Sequence, residues 1–202
     1  MPPIPASDIT LGILAGGRAS RLGGVDKAWL QRDGLAQVER WRRRFADGTG
    51  AILISANRHL ERYERIGLHV VADRSAGDLG PLAGLDALAA ACGTPWLLTL
   101  PVDLVGVNDG LLPSLGAAAH PYGAFAVDDD GPQPLVALWP TLALRDAATH
   151  ALASRELAVH PLQRRLRMLA VRLDGVRFGN LNTPQDLAAA GAVPRPSDES
   201  HA

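Results

Sequence analysis

The sequence predicts a doubly wound α/β domain built on a mostly parallel sheet. Three observations carry that prediction. Apolar runs that suit strands alternate with helical segments through the first half of the chain. The run at 51–56 is read as continuously apolar, as expected of a parallel strand covered on both faces, and 96–100 as another buried strand. Asn57, Asp73 and Asp103 each follow the carboxyl end of a predicted strand, the edge where open parallel sheets bind ligands.

Taken in order, the proline-rich residues 1–8 are expected to be disordered, 9–192 to form a single domain, and 193–202 to be a disordered tail. The run 9–14 reads as the opening strand. Leu35, Val38, Trp41 and Phe45 recur at helical spacing, with Gly48 as a stop. Strand 51–56 ends at Asn57, a short helix covers 60–66, and strand 69–72 ends at Asp73. Residues 74–81 are rich in helix breakers, and 82–91 read as a buried helix with little polar face. Strand 96–100 is stopped by Pro101 and followed by Asp103, and 111–118 read as a helix. Strands at 122–127 and 133–139 flank the acidic turn Asp128-Asp129-Asp130-Gly131-Pro132, which is expected to be solvated hairpin chemistry rather than a metal site. Residues 141–166 read as helical with an arginine-rich exposed face, and 168–173 as a strand. Thr183 is placed to cap a final helix, with Pro184 at its first position and Asp186 at its third.

Bulk properties exclude several classes. Lys+Arg total 20 against 21 Asp+Glu, for a formal charge of −1, and no long basic tract exists. That argues against a nucleic-acid groove or an anionic membrane surface as partner. No run of 18 apolar residues occurs and the start lacks signal-peptide architecture, so a cytoplasmic protein is expected. The single cysteine, Cys92, excludes an intramolecular disulfide and reads as a small core residue. The six histidines are scattered without metal-ligand spacing.

The opening strand feeds the stretch Leu14-Ala15-Gly16-Gly17-Arg18-Ala19-Ser20-Arg21-Leu22-Gly23-Gly24-Val25-Asp26-Lys27. Glycines here let the backbone approach a ligand closely, and a loop of N–H groups after a strand is an anion cradle. Arg18, Arg21 and Lys27 add positive charge. Lys27 is the one lysine of the chain. An ammonium on a flexible stem suits a phosphate oxygen where a planar guanidinium fits poorly. The spacing matches neither the P-loop nor the dinucleotide fingerprint. This loop, Asn57, Asp73 and Asp103 thus converge on one sheet edge as a polyphosphate site.

Leu14-Ala15-Gly16-Gly17, Arg21 to Lys27, Ser55-Ala56-Asn57-Arg58, Gly80-Pro81-Leu82-Ala83-Gly84, Pro101-Val102-Asp103 and Asn180-Leu181-Asn182-Thr183-Pro184 occur in this order over nearly the whole folded chain. In these segments the sequence resembles the molybdenum cofactor guanylyltransferases, a group of Rossmann-like nucleotidyltransferases of glycosyltransferase-A-like fold. The resemblance implies transfer of GMP from GTP to molybdenum-bound molybdopterin, with Mg²⁺ as cofactor and pyrophosphate as by-product. It implies nucleotide contacts by Leu14, Ala15, Gly16, Gly17, Asn57 and Asp73, and Lys27 on the phosphates with Arg21 assisting. Asp103 would bind Mg²⁺ and nucleotide, and Asn180 and Asn182 would line the molybdopterin side. A monomer is expected, with other molybdenum cofactor biosynthesis proteins or molybdoenzyme chaperones as partners. Val102 stands where the family often has cysteine, and Gln133-Pro134 where it usually has His-Pro. Cytidylyl transfer to molybdopterin, transfer to a sugar 1-phosphate, and a non-catalytic nucleotide-binding module remain open, since the loop reads phosphates and not the base.

Overall fold

The computed structural model describes residues 3–16 and 25–194. Its centre is a seven-stranded sheet built from β1 (Ile9–Leu14), β4 (Ala51–Ser55), β5 (His69–Val71), β6 (Trp96–Pro101), β8 (Ala124–Asp128), β9 (Gly131–Pro140) and β10 (Leu169–Arg172). The strand order is β10-β8-β9-β6-β1-β4-β5. β1 pairs in parallel with both β4 and β6, β4 with β5, and β10 with β8. Only β9 runs antiparallel within this sheet, between β6 and β8. The doubly wound, mostly parallel sheet is therefore as the sequence predicts. Two small ladders lie outside it, β2 (Gln31–Arg32) with β3 (Leu35–Ala36) and β7 (Leu104–Val105) with β11 (Gly179–Asn180).

The period-2 alternation of the central strands divides the core into two layers. Ile9, Leu11 and Ile13 of β1 and Trp96, Leu98 and Leu100 of β6 face α1 (Gln37–Arg44), α2 (Leu60–Glu64) and α4 (Leu111–Ala118), whose Val38, Trp41, Tyr63, Leu111 and Leu115 complete that layer. Leu53, Leu97, Phe125 and Trp139 face α3 (Pro81–Ala91), α5 (Thr141–Ala153) and α6 (Val159–Arg165) on the other side. Gly12 permits a close approach there, since a Cβ on it would lie 3.0 Å from both Leu88 Cδ1 and Leu97 Cδ1. Cys92 is buried in this second layer.

Several elements differ from the sequence reading. Leu35 belongs to β3, so α1 begins at Gln37, and the Leu35 to Phe45 periodicity spans a turn as well as a helix. The helical stretch 141–166 is two helices, because Arg155 adopts φ +57 and ends α5. Its arginine-rich face is not simply solvated. Arg145 donates to the carbonyls of Ala89, Ala90 and Cys92, satisfying the C-terminal end of α3. Ahead of residue 9, Ala6–Asp8 form a 3-10 turn and Ile4 packs on the core. At the far end, Val193 pairs with Gln31 through both of its backbone groups.

Candidate active site

The carboxyl ends of β1, β4, β5 and β6 form one edge, held level by backbone bonds that continue past the strands. Ala15 N donates to Ser55 O at 2.8 Å, Ala56 N to Val71 O at 3.0 Å, and Val102 N to Leu14 O at 2.9 Å. The segment Gly80-Pro81-Leu82-Ala83-Gly84 sets α3 against this edge for three separable reasons. Gly80 adopts φ +62, which favours glycine, and Pro81 occupies the first helical turn. Gly84 leaves room for Ser55 Oγ and Leu14 Cδ2, which a Cβ would meet at 2.7 and 2.9 Å.

Two polar clusters stand on the edge. In the first, the Asn57 amide grips Asp73 twice: Nδ2 donates to Asp73 Oδ2 at 2.7 Å, and Oδ1 accepts from Asp73 N at 2.9 Å. Arg74, the next residue, reaches Asp86 on α3 at 3.3 Å, and Thr149 donates to the same carboxylate. Asp86 is buried, so the loop carrying Asp73 is anchored from beneath. A cleft of about 20 Å³ lined by Ala15, Gly16, Asp26, Asn57 and Tyr63 opens beside this cluster. A larger groove of about 740 Å³ lies at the amino end of β1, lined by Ile4, Ile9, Phe45, Leu112 and His120 among others, and includes none of the predicted site residues.

In the second cluster, Lys27 Nζ donates to Asp103 Oδ2 at 2.7 Å and also to Asn182 Oδ1. Both charged side chains are mostly shielded, at 16% and 19% exposure, so the pair is screened less than a surface ion pair. Lys27 opens a 3-10 turn, Lys27–Trp29, capped by the Asp26 carboxylate, which accepts from Ala28 N. The carbonyl of Val102, one residue before Asp103, accepts from Trp41 Nε1 and Gln37 Nε2. Asn182 arrives from the other end of the chain. β11 pairs with β7, Leu181 N donates to Asp103 O at 2.9 Å, and Thr183 caps α7 (Pro184–Ala189) in a reciprocal capping box with Asp186.

The acidic turn is the β8–β9 hairpin with Asp129 and Asp130 exposed, as expected, but its first carboxylate is not solvated. Asp128 is fully buried, not solvated. Its Oδ1 accepts from Asp130 N, Gly131 N and Gln133 Nε2, and its Oδ2 from Phe178 N at 2.7 Å. Burial pushes this carboxyl's pKa up, but the bonds from Phe178, Gln133, Asp130 and Gly131 outweigh that and hold it below the usual range. Asp128 thereby ties the β8–β9 hairpin to the segment that leads into Asn180 and Asn182. Gln133, at the position of the resembled family's histidine, serves this buried network.

The sequence model of the MobA-like NTP transferase domain family matches residues 11–170. The chain belongs to that family. It is 36% identical over 193 residues to the molybdenum cofactor guanylyltransferase of Cupriavidus pinatubonensis, covering 91% of this chain and 96% of that one. It is 40% identical over 151 residues to the one of Ralstonia nicotianae, covering 72% and 74%. Among solved structures, the molybdopterin-guanine dinucleotide biosynthesis protein A of Archaeoglobus fulgidus superposes with TM-score 0.67 at 20% identity, over 90% of this chain and 96% of that one. The 2-C-methyl-D-erythritol 4-phosphate cytidylyltransferase of Thermus thermophilus gives 0.67 at 20% identity, over 89% and 95%. These two show the shared fold.

Within this MobA-like transferase, the structure brings Leu14, Ala15, Gly16, Lys27, Asn57, Asp73 and Asp103 to one edge, and joins Asn182 to them through Lys27. Asn180 sits on β11 opposite Leu104, with its side chain exposed. Gly17 and Arg21 lie outside the described residues. Among the described residues no group of three His, Cys, Asp or Glu side chains forms a metal cage. No helix among the described residues is long and apolar enough to cross a membrane.

Proposed function

We propose that this chain transfers GMP from GTP to molybdenum-bound molybdopterin, forming the guanine dinucleotide cofactor and pyrophosphate. The observation that carries the reading is the Lys27–Asp103–Asn182 cluster, set on the ligand edge of a member of this family. A phosphate oxygen of the acceptor attacks the α-phosphorus of GTP. The bond to the bridging oxygen breaks, and pyrophosphate leaves with that electron pair. The attacking phosphate is already anionic, so no general base is needed. The protein's work is to align the two phosphates and offset their charge.

The residues divide that work. Leu14, Ala15, Gly16, Gly17 and the Asn57–Asp73 pair hold the nucleotide. Lys27 engages a triphosphate oxygen, with Arg21 assisting. Asp103 would hold Mg²⁺, a hard-oxygen ligand set that this carboxylate fits, and the ion would supply further neutralisation of the triphosphate. Asn180 and Asn182 face the molybdopterin side. The test is pyrophosphate release with each of the four NTPs and molybdopterin as acceptor. Turnover with GTP well above CTP and ATP is expected, because a site built to hydrogen-bond one base leaves buried polar groups unpaired with another. Equal kcat/KM for GTP and CTP would overturn the guanylyl assignment.

A further inference from the structure

The capping box of α7 contains one more hydrogen bond than a cap needs. A Thr-x-x-Asp box is complete when Thr183 Oγ1 accepts from Asp186 N and the Asp186 carboxylate accepts from Thr183 N. Both bonds are present, at 3.1 and 2.8 Å. The same carboxylate oxygen, Oδ2, also accepts from Asn182 N at 3.1 Å. Asn182 is the residue whose side-chain oxygen accepts from Lys27 Nζ. A continuous chain of polar contacts therefore runs from Asp186 through the peptide of Asn182 to Lys27 and on to Asp103.

We propose that Asp186 is a positioning residue for nucleotide binding: it fixes the peptide at Asn182, which aims the Asn182 amide oxygen at Lys27. The inference rests on the assignment of Lys27 to the triphosphate, and names what presets that lysine. An ammonium on a four-carbon stem has many rotamers, and freezing them on binding costs affinity. Asp103 alone would draw Lys27 to one side. A neutral oxygen on the other side holds the ammonium between two acceptors without adding a negative charge that repels phosphate. Two of its three donors are then engaged among the described residues, leaving one for an incoming oxygen. The Thr183 hydroxyl shares the cap but makes no hydrogen bond to Asn182, so cap strength and aim are separable by mutation.

The test is GTP affinity, measured by calorimetric titration of the full chain with Mg²⁺ and no acceptor, for Asp186→Ala, Asp186→Asn and Thr183→Val, with Lys27 and with Lys27→Ala. Lys27→Ala is expected to weaken GTP binding by more than tenfold, and Asp186→Ala by about tenfold, as for loss of an ordered charge-assisted contact. In the Lys27→Ala background Asp186→Ala should add nothing, because the two act through one contact. Asp186→Asn retains an oxygen at the same place and should recover most of the loss. Thr183→Val should lower Tm through the lost cap and leave GTP affinity within about twofold of the parent. An equal loss from Asp186→Ala in both backgrounds, or a loss from Thr183→Val as large as that from Asp186→Ala, would overturn the proposal by reducing Asp186 to helix stability. Normal GTP affinity in Lys27→Ala would overturn it differently, by removing Lys27 from the nucleotide site altogether.

Discussion

The strand edge proposed to hold the nucleotide and the 178–182 arm meet at Lys27, and they are built in contrasting ways. The edge is a product of regular structure: parallel strands end level, and the first polar residues beyond them, Asn57, Asp73 and Asp103, lie along that one edge. The arm's regular pairing is limited to two residues of β11 with β7 and the bond from Leu181 N to Asp103 O that follows it, and carboxylates hold its two ends. Asp128 takes the N–H of Phe178 at its start, and Asp186 takes the N–H of Asn182 at its end. Sheet hydrogen bonding positions one side of the site, and side-chain acceptors position the other. Mutations on the edge should therefore act on chemistry with little effect on folding. Mutations in the carboxylates that hold the arm should act on stability, Asp128 with an added effect on use of the acceptor and Asp186 with an added effect on GTP through Asn182 and Lys27.

The largest effect is expected at Asp103. Asp103→Ala removes the candidate metal ligand and the ionic partner of Lys27 together, so kcat/KM should fall by on the order of 10³ or more while the far-UV spectrum is unchanged. Near-normal turnover at ordinary Mg²⁺ concentrations would take Asp103 out of the site.

Asp128 sharpens the contrast. In Asp128→Asn only one oxygen remains for donors that now reach two, so about 1–3 kcal/mol of stability should be lost, read as a lowered Tm. The KM for the acceptor should rise more than that for GTP, since the arm moves and the edge does not. Equal changes in both constants would show that the two regions are not separately held. The pH dependence follows from the sign of the shift. The folded carboxyl of Asp128 lies below its ordinary value, so its contribution is complete above the unfolded pKa of about 3.9 and is lost as pH falls through the lowered folded value. Asp186 is lowered as well, by the Thr183 side chain first, then by the N–H groups of Thr183 and Asn182 and the charge of Lys27. Asp128→Asn should flatten the acid limb of the Tm profile, and an unchanged limb would contradict this.

These two carboxylates also mark where the sequence stopped being legible. Asn57, Asp73 and Asp103 were readable because a polar residue after an apolar run has one structural meaning in a parallel sheet. The Thr183 cap was readable because its signature is local. The burial of Asp128 is not legible because its decisive partner, Phe178, is 50 residues away, and an Asp-Asp-Asp-Gly turn looks the same whether its first carboxylate is solvated or buried. Lys27 stood out as the one lysine, but its bond to Asn182 spans 155 positions and depends on the β7–β11 ladder, which has no periodicity to detect. The break at Arg155 was hidden because the residues on both sides favour helix and no glycine or proline marks it.

The smallest effect is expected at Tyr63. Among the described residues its hydroxyl and the nearby Trp29 Nε1 are buried without hydrogen-bond partners, and the two rings meet tilted, with centroids 5.1 Å apart. Burial also raises the phenol pKa. Tyr63→Phe should leave stability unchanged or raise it by up to about 1 kcal/mol, read as an unchanged or slightly raised Tm, because no hydrogen bond among the described residues is lost and a desolvated hydroxyl is removed. A clear fall in Tm would reveal a partner for that hydroxyl.

The central claim is that Lys27 joins the two regions at the triphosphate, and kcat/KM for GTP in Lys27→Ala and Lys27→Arg, beside their melting temperatures, tests it most directly. Lys27→Ala should lose on the order of 10²–10³ in kcat/KM. Lys27→Arg should recover part of that loss, because a planar guanidinium keeps the charge but does not fit between Asp103 and Asn182 in the same way. Tm should shift little in either, since Lys27 is not part of the apolar core. Full activity in Lys27→Ala would contradict the account.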